Sequence, residues 1–362
     1  MRVLHVVMNL DYGGVESYVV RVSKAMAKMG HQVTVLSQGG PVEDLLHECG
    51  IDVIRASFTP ENMPALSRQV AERGFDVING HNYNSGRVAH IISQNTGIPY
   101  VLTVHGPRHF LKRVFYKSWS RRVIALSGAD MRGIAGMLGI PRDHISRSFI
   151  PIDPAQSGDA KCDLHSDFSL PSDTKLILHV SRFTNRKARV ALELIKAMPD
   201  IMQRVPEARL LIIGGGPAYD RIVESAATFN KQYGQIISVQ PSRLDVSRLF
   251  KLADIAVATA TTAMEILAHG TPLVAAGRTG FVGLVEPDNF DMAYDLLFGD
   301  HGKCPRQTHS GLLSTSVLSV LQNKTQWKVK ADIVADRVRR EFTPAKAAES
   351  LLAIYRDVIN GR

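Results

Sequence analysis

Short β-branched and leucine-rich runs alternate with longer segments of helical periodicity through both halves of the chain. Runs at residues 3–8, 32–37, 52–56, 77–79, 100–104 and 123–127 have strand length, and the intervals between them carry the wider apolar spacing of helices. In the first interval Val15, Val19, Val22, Met26 and Met29 share one face and Gly30 follows, which predicts an amphipathic helix with a glycine stop. The pattern lapses over residues 151–174, a polar, proline-containing stretch without periodicity. It restarts with runs at 175–180, 209–213, 236–239, 255–258 and 272–276.

Strands that alternate with helices predict parallel sheets covered on both faces. The fold class expected is therefore α/β, with two doubly wound, Rossmann-like domains over 1–150 and 175–342 joined by a linker over 151–174. A length of 362 residues suits two cores better than one. From Thr343, Pro344 at a first helical position and Leu351, Leu352 and Tyr355 at helical spacing predict a terminal helix over 343–362.

Composition narrows the class. Three dispersed cysteines, Cys49, Cys162 and Cys304, form no C-x-x-C pair and have no histidine at ligand spacing, which argues against a disulfide framework and a structural zinc site. The expected setting is the reducing cytoplasm. No apolar run approaches the roughly 20 residues of a spanning helix, and the first residues form a strand and loop instead of a signal peptide. Net charge is +9, and no Asp or Glu occurs from Val77 to Ala129, where Arg87, Arg108, Lys112, Arg113, Lys117, Arg121 and Arg122 fall. Such an excess draws anionic partners: phosphates, acidic glycans or an anionic membrane leaflet. The alternative is a solvated basic face. No nucleic-acid-binding module is recognisable, so nucleic acid is not an expected partner.

Residues 110–122 interleave Phe110, Phe115, Tyr116 and Trp119 with five cations. That pattern fits a helix lying on an anionic leaflet or receiving a phosphorylated lipid; it also fits a helix that packs its rings inward and snorkels its cations.

Candidate chemistry clusters just after the strands, where parallel sheets bind ligands. Gly13-Gly14 precedes a helix, which allows an anion to approach the backbone and the positive end of the helix dipole. The dinucleotide fingerprint G-x-G-x-x-G is absent, which disfavours a dehydrogenase. Arg182 and Lys187 lie in one strand-to-helix connection and suit a diphosphate clamp. His105 follows the run YVLTV and His81 follows DVING; an imidazole there suits hydrogen bonding to a hydroxyl or proton transfer. Glu265, at the start of a helix-like segment, offers a carboxylate able to accept from two hydroxyls.

Gly13-Gly14-Val15-Glu16, Arg182 with Lys187 in VSRFTNRKA, and Glu265 in MEILAHGTP stand in an order that resembles the GT-B fold, nucleotide-sugar-dependent glycosyltransferases, specifically the retaining group called family 4. The resemblance spans nearly the whole chain. It implies two domains facing across a cleft, a terminal helix that returns to the first domain, and transfer of a sugar from a nucleotide diphosphate sugar. A UDP-sugar is the favoured donor and a GDP-sugar the other option. It also implies that Arg182 and Lys187 hold the diphosphate, that Glu265 binds the ribose, and that His105 faces the donor sugar. Gly13, Gly14, Gly216 and Thr262 complete the donor-binding set.

The acceptor side is assigned to His81, Arg108 and Lys112, for a glycan, lipid-phosphate or other cell-envelope acceptor, with peripheral contact to the inner face of the cytoplasmic membrane. No cofactor is expected. No Asp-x-Asp occurs, so no metal is expected either. Retention is implied only by the resemblance, in which the leaving phosphate assists the acceptor and no protein nucleophile is required.

One departure stands out. The family's paired-glutamate motif has a first Glu eight residues before the second; here that position is Val257, and the segment Thr259-Ala260-Thr261-Thr262 is short. A subgroup with a short loop continues with a Gly-Arg-x-Gly segment like Gly277-Arg278-Thr279-Gly280. The departure keeps two alternatives open: a catalytically inactive nucleotide-sugar binder or partner of an active transferase, and a sugar-nucleotide epimerase or phosphorylase of the same architecture.

Overall fold

The computed structural model describes residues 1–106, 122–137, 139–153, 167–168, 170–243 and 245–361. Arg108, Lys112, the aromatic segment up to residue 121 and most of the expected linker lie outside the described residues. The chain divides into two compact units, Met1–Pro151 with Phe342–Arg362, and Ile152–Glu341.

In the first unit, strands β1 (Arg2–Val6), β2 (Gln32–Ser37), β3 (Asp52–Arg55), β4 (Val77–His81), β5 (Tyr100–Val104), β6 (Val123–Ala125) and β7 (Ile145–Arg147) form one sheet in the order β3-β2-β1-β4-β5-β6-β7. Every pairing is parallel. Helices α1 (Gly14–Lys28), α2 (Glu43–Glu48), α3 (Met63–Arg73), α4 (Asn82–Thr96) and α5 (Gly128–Met137) connect them. Because both faces are covered, β1 buries consecutive residues, with Val3, Leu4 and Val6 fully buried and His5 the one polar side chain among them.

The second unit holds β8 (Lys175–Arg182), α6 (Ala188–Arg204), β9 (Ala208–Gly215), α7 (Tyr219–Tyr233), β10 (Ile237–Gln240), β11 (Ile255–Ala258), α8 (Ala260–Ala268), β12 (Leu273–Ala276), β13 (Phe281–Leu284), α9 (Phe290–Asp295), α10 (Ser310–Gln322) and α11 (Lys324–Glu341). Its strand order is β10-β9-β8-β11-β12-β13. On α6, Val190, Ala191, Leu194, Ile195, Met198 and Ile201 are buried, the 3-4 spacing of a helix lying on a sheet.

Three details depart from the sequence pattern. Strand β7 is only three residues long, too short for its alternation to register. Strand β13 runs antiparallel to β12, because the tight turn from Gly277 to Gly280 reverses the chain without a crossover helix. Glu265 does not begin its helix: α8 starts at Ala260, directly after β11, so the segment expected as a loop is the first helical turn.

The terminal helix α12 (Pro344–Ile359) belongs to the first unit and packs on α1. Thr343 caps it, its hydroxyl oxygen accepting from the Lys346 N–H at 3.2 Å, and Pro344 takes the first turn. Tyr355 of α12 is fully buried, and its hydroxyl oxygen accepts from Asn79 Nδ2 at 2.6 Å. Asn79 in turn accepts from the Thr103 hydroxyl at 2.9 Å. Tyr355→Phe leaves the buried Asn79 amide short of an acceptor and is expected to cost about 1–2 kcal/mol, read as a lower urea midpoint at unchanged m.

Candidate active site

Side chains two residues apart on a strand share a face, so Asn79 and His81 of β4 point the same way, as do Thr103 and His105 beyond it. The parallel register sets His5 opposite Asn79 and His81 opposite Thr103, which brings three histidines from β1, β4 and the end of β5 into a row. His5 Nδ1 lies 2.9 Å from His81 Nε2, and His81 Nδ1 lies 3.0 Å from His105 Nε2. The His105 backbone N–H donates to Asn82 Oδ1 at 2.9 Å, which fixes the turn after β5.

Tyr18 of α1 meets the His105 ring edge-on, with centroids 4.9 Å apart. Desolvation pushes His5 down to about 3 and His81 well below the ordinary imidazole value, the charges of His5 and His105 adding to the effect at His81. Both rings are therefore neutral at neutral pH.

His81 is 1% exposed, and its expected direct contact with an acceptor does not fit that burial. It reaches outward through His105, which is half-buried at the carboxyl end of the sheet. His5 was not legible as a site residue, since a single histidine in RVLHVV carries no spacing signal. Gly13 caps α1 in an extended conformation, and neither Gly13 nor Gly14 has a positive φ. Backbone conformation therefore does not require glycine at either position, and what the pair provides is an open approach to the helix N-terminus.

The second unit gathers its own set at the carboxyl ends of β8, β11 and β12. Arg182 is the last residue of β8 and is exposed. Beside it, the Phe183 N–H donates to Gly215 O at 2.8 Å and the Ala218 N–H to Phe183 O at 3.0 Å. Gly216, at φ +134°, sits so close that a Cβ would lie 2.9 Å from Phe183 O, so this turn needs glycine to pack. Lys187 caps α6 five residues after Arg182, and its side chain turns inward.

Lys187 Nζ stands 3.1 Å from Oδ1 of Asp300, a carboxylate with only 4% of its side chain exposed. Arg278 lies 3.9 Å from the same oxygen and donates from Nη2 to the Asp300 carbonyl at 3.0 Å; His301 Nε2 is 3.6 Å from Oδ2. Burial alone would raise the Asp300 carboxyl, but the charges of Lys187, His301 and Arg278 outweigh it and hold it below the ordinary carboxylate value.

Asp300 is delivered by a turn in which Leu297, Phe298 and Gly299 all have positive φ, at 44°, 53° and 90°. Two non-glycine residues there cost about 1–2 kcal/mol each. Hydrogen bonds offset this strain: the Thr259 hydroxyl donates to Leu297 O at 3.2 Å and Phe298 O at 2.9 Å, and Thr279 donates to Gly299 O from both its N–H and its hydroxyl at 2.9 Å. Asp300 thus lies far from any motif in sequence, and no local pattern marks it.

Thr259 also caps α8, with Ala260 at φ +54° behind it and Thr261 and Thr262 half-buried in the first turn. Glu265 is half-buried one turn on, and its carbonyl accepts from His269 Nδ1 at 2.7 Å. Of the expected site residues, Gly13, Gly14, His81 and His105 therefore lie together in the first unit, and Arg182, Lys187, Gly216, Thr262 and Glu265 in the second. No helix among the described residues is long and apolar enough to cross a membrane.

Residues 12–156 match the family model described as Glycosyltransferase Family 4, and residues 162–291 match that described as Glycosyl transferases group 1. The chain is similar to a D-inositol 3-phosphate glycosyltransferase of Frankia alni, 26% identical over 336 residues that cover 75% of this chain and 79% of that one. It is also similar to a phosphatidyl-myo-inositol mannosyltransferase of Mycolicibacterium smegmatis, 25% identical over 56% of each chain. Among solved structures, Anabaena HepE in complex with UDP-glucose superposes at a TM-score of 0.80 with 16% identity, over 99% of this chain and 100% of that one. Two α/β units of this topology, with both halves of the family matched in order, make the chain a GT-B fold glycosyltransferase of family 4, an enzyme that takes its sugar from a nucleotide sugar.

Proposed function

We propose that the protein transfers a hexosyl-type unit from a UDP-sugar, with retention and without a metal, to a hydroxyl of an anionic acceptor of the cell-envelope type. The observation that carries this is the cationic connection at the end of β8, where Arg182 and Lys187 bracket four residues of backbone leading into α6. A departing nucleoside diphosphate gains negative charge, and fixed cations with helix N-termini stabilise that charge most where it develops. Glu265 accepts from the ribose hydroxyls, and Thr262 and Gly216 line the donor.

In the first unit His105 meets a sugar hydroxyl, with Gly13 and Gly14 giving an anion access to α1. The second unit is the donor side and the first the acceptor side, with Arg108 and Lys112 meeting the acceptor. A UDP-sugar is favoured because the similar Anabaena protein was solved with UDP-glucose. An anionic acceptor is favoured because the run from Val77 to Ala129 is without acidic residues, and because similar proteins are named for inositol phosphate and phosphatidyl-inositol substrates.

Thermal-shift and calorimetric titration with UDP, GDP, ADP and their common sugar conjugates tests the donor. Selective stabilisation by UDP and a UDP-sugar is the expected result, and equal or absent responses to all three bases would overturn it. Glu265→Ala is expected to weaken nucleotide affinity by about 1.5–3 kcal/mol, the value of hydrogen bonds to a charged group. Unchanged affinity would remove Glu265 from the ribose. Proton NMR of the product anomer tests retention.

A further inference from the structure

Asp300 stands where three strand-end connections of the second unit meet. A Cβ at Gly277, just after β12, would lie 2.5 Å from the Thr259 hydroxyl oxygen and 2.5 Å from Gly299 O, so the turn at Leu297 to Gly299 packs directly on the connections that follow β11 and β12. The hydroxyls of Thr259 and Thr279 hold that turn in its left-handed conformation. From it the Asp300 carboxylate reaches the third connection, the one after β8, and meets Lys187 Nζ at 3.1 Å.

Non-glycine backbone in the left-handed region persists where its surroundings over-determine it, and such strain gathers where geometry serves a site. A lysine ammonium rides on a flexible stem and needs an anchor to stay at one point. Asp300, buried and carried by a turn that is itself tied to two neighbouring connections, is such an anchor. The other roles open to a carboxylate fit less well. Lys187 and, at 3.9 Å, Arg278 converge on its Oδ1, and a carboxylate held by cations is a weak base and a weak nucleophile.

We propose that Asp300 is a positioning residue for sugar transfer: it fixes the Lys187 ammonium beside the end of β8, and the strained turn fixes Asp300. The contact belongs to the second unit alone. Its consequence for the reaction rests on Lys187 meeting the donor diphosphate, as proposed above. Net charge by itself gives the opposite expectation. A carboxylate beside a diphosphate site repels the anion, so a neutral replacement would improve the site if Asp300 did no more than offset the charge of Lys187.

The test is the single-turnover rate of UDP release from UDP-glucose, with enzyme in excess and water as acceptor, each variant first shown by calorimetry to bind UDP at one site per chain. Asp300→Asn is expected to slow release at least about tenfold, the scale of a misplaced reacting group. In a Lys187→Ala background the same substitution should change the rate by less than about twofold, because no ammonium remains to be placed. A rate that is unchanged or faster in Asp300→Asn overturns the proposal, as do losses that multiply in the double variant, the mark of a merely structural role. Thr279→Val keeps every charged group and removes one tie on the turn, so it is expected to slow release by about threefold or more. An unchanged rate there removes the turn from the device. Ligand-free protein labelled with ¹⁵N-lysine separates this proposal from the choice of donor. The Lys187 ammonium, identified by its loss in Lys187→Ala, should be visible through slow hydrogen exchange and fade in Asp300→Asn. An ammonium signal that survives Asp300→Asn overturns the positioning role, whereas absence of UDP release from the unaltered protein counts against the proposed function.

Discussion

Lys187→Ala is expected to lower kcat by roughly 30- to 1000-fold, about 2–4 kcal/mol in activation free energy, with a much smaller change in KM for the donor. The split between kcat and KM follows from when the charge appears. A bound nucleoside diphosphate sugar already carries negative charge, but the bond to the sugar adds more to the bridging oxygen as it breaks. A cation held in place before reaction stabilises that increment with no reorganisation. Lys187 is held: it caps α6 and has its ammonium 3.1 Å from Asp300. Stopped-assay kinetics with a UDP-sugar give the measurement, and a kcat within a factor of a few of the unaltered protein would end the diphosphate assignment. Because the substitution also strips Asp300 of its nearest cation, the double variant Lys187→Ala/Asp300→Asn is the control. It removes both charges, is expected to recover most of any lost stability, and should leave kcat as low as in Lys187→Ala.

The alternation of apolar runs made both sheets legible because a strand buried on two faces is made mainly of apolar residues, and long helices with an apolar stripe, such as α1 and α6, separate the strands. The same periodicity says nothing about direction, so β13 was invisible as an antiparallel edge: Phe281 to Leu284 is short and its partner choice is set by the turn at Gly277 to Gly280. In the site, residues within one strand-to-helix connection could be read from spacing, as with Arg182 and Lys187. Residues joined only by the fold could not. Asp300 reaches Lys187 from 113 positions away through a strained turn tied to Thr259 and Thr279, and His5 reaches His81 through strand register. The missing glutamate at Val257 was legible as an absence, whereas the helix that begins three residues later was not. Thr259 precedes its first turn in an extended conformation while its hydroxyl donates to the turn at Leu297 and Phe298, a contact that only the fold supplies.

Asp300→Asn is expected to destabilise the protein by about 3 kcal/mol at neutral pH, the low end for removing one partner of a buried ion pair. The low end applies because Lys187 keeps 17% of its side chain exposed and can regain some hydration, whereas Asp300 keeps 4%. What is lost is a counter-charge for Lys187 and Arg278 together, so the cost exceeds that of a neutral hydrogen bond. The pH dependence has a definite sign. The Asp300 carboxyl lies below its ordinary value of 3.8 in the folded protein, so its contribution is complete above that value and is lost as pH falls through the folded one. The gap in stability between the unaltered protein and Asp300→Asn should therefore be constant from neutral pH down to about pH 4 and close below it. Urea unfolding across that range measures the gap. In a double-mutant cycle with Lys187→Ala, the two losses should be far from additive, since each substitution alone leaves the partner's charge uncompensated and the pair together removes both, leaving only Arg278 at the wider spacing of 3.9 Å. Additive losses, or a gap that widens in acid, would mean that Asp300 and Lys187 are near neighbours without being a stabilising pair.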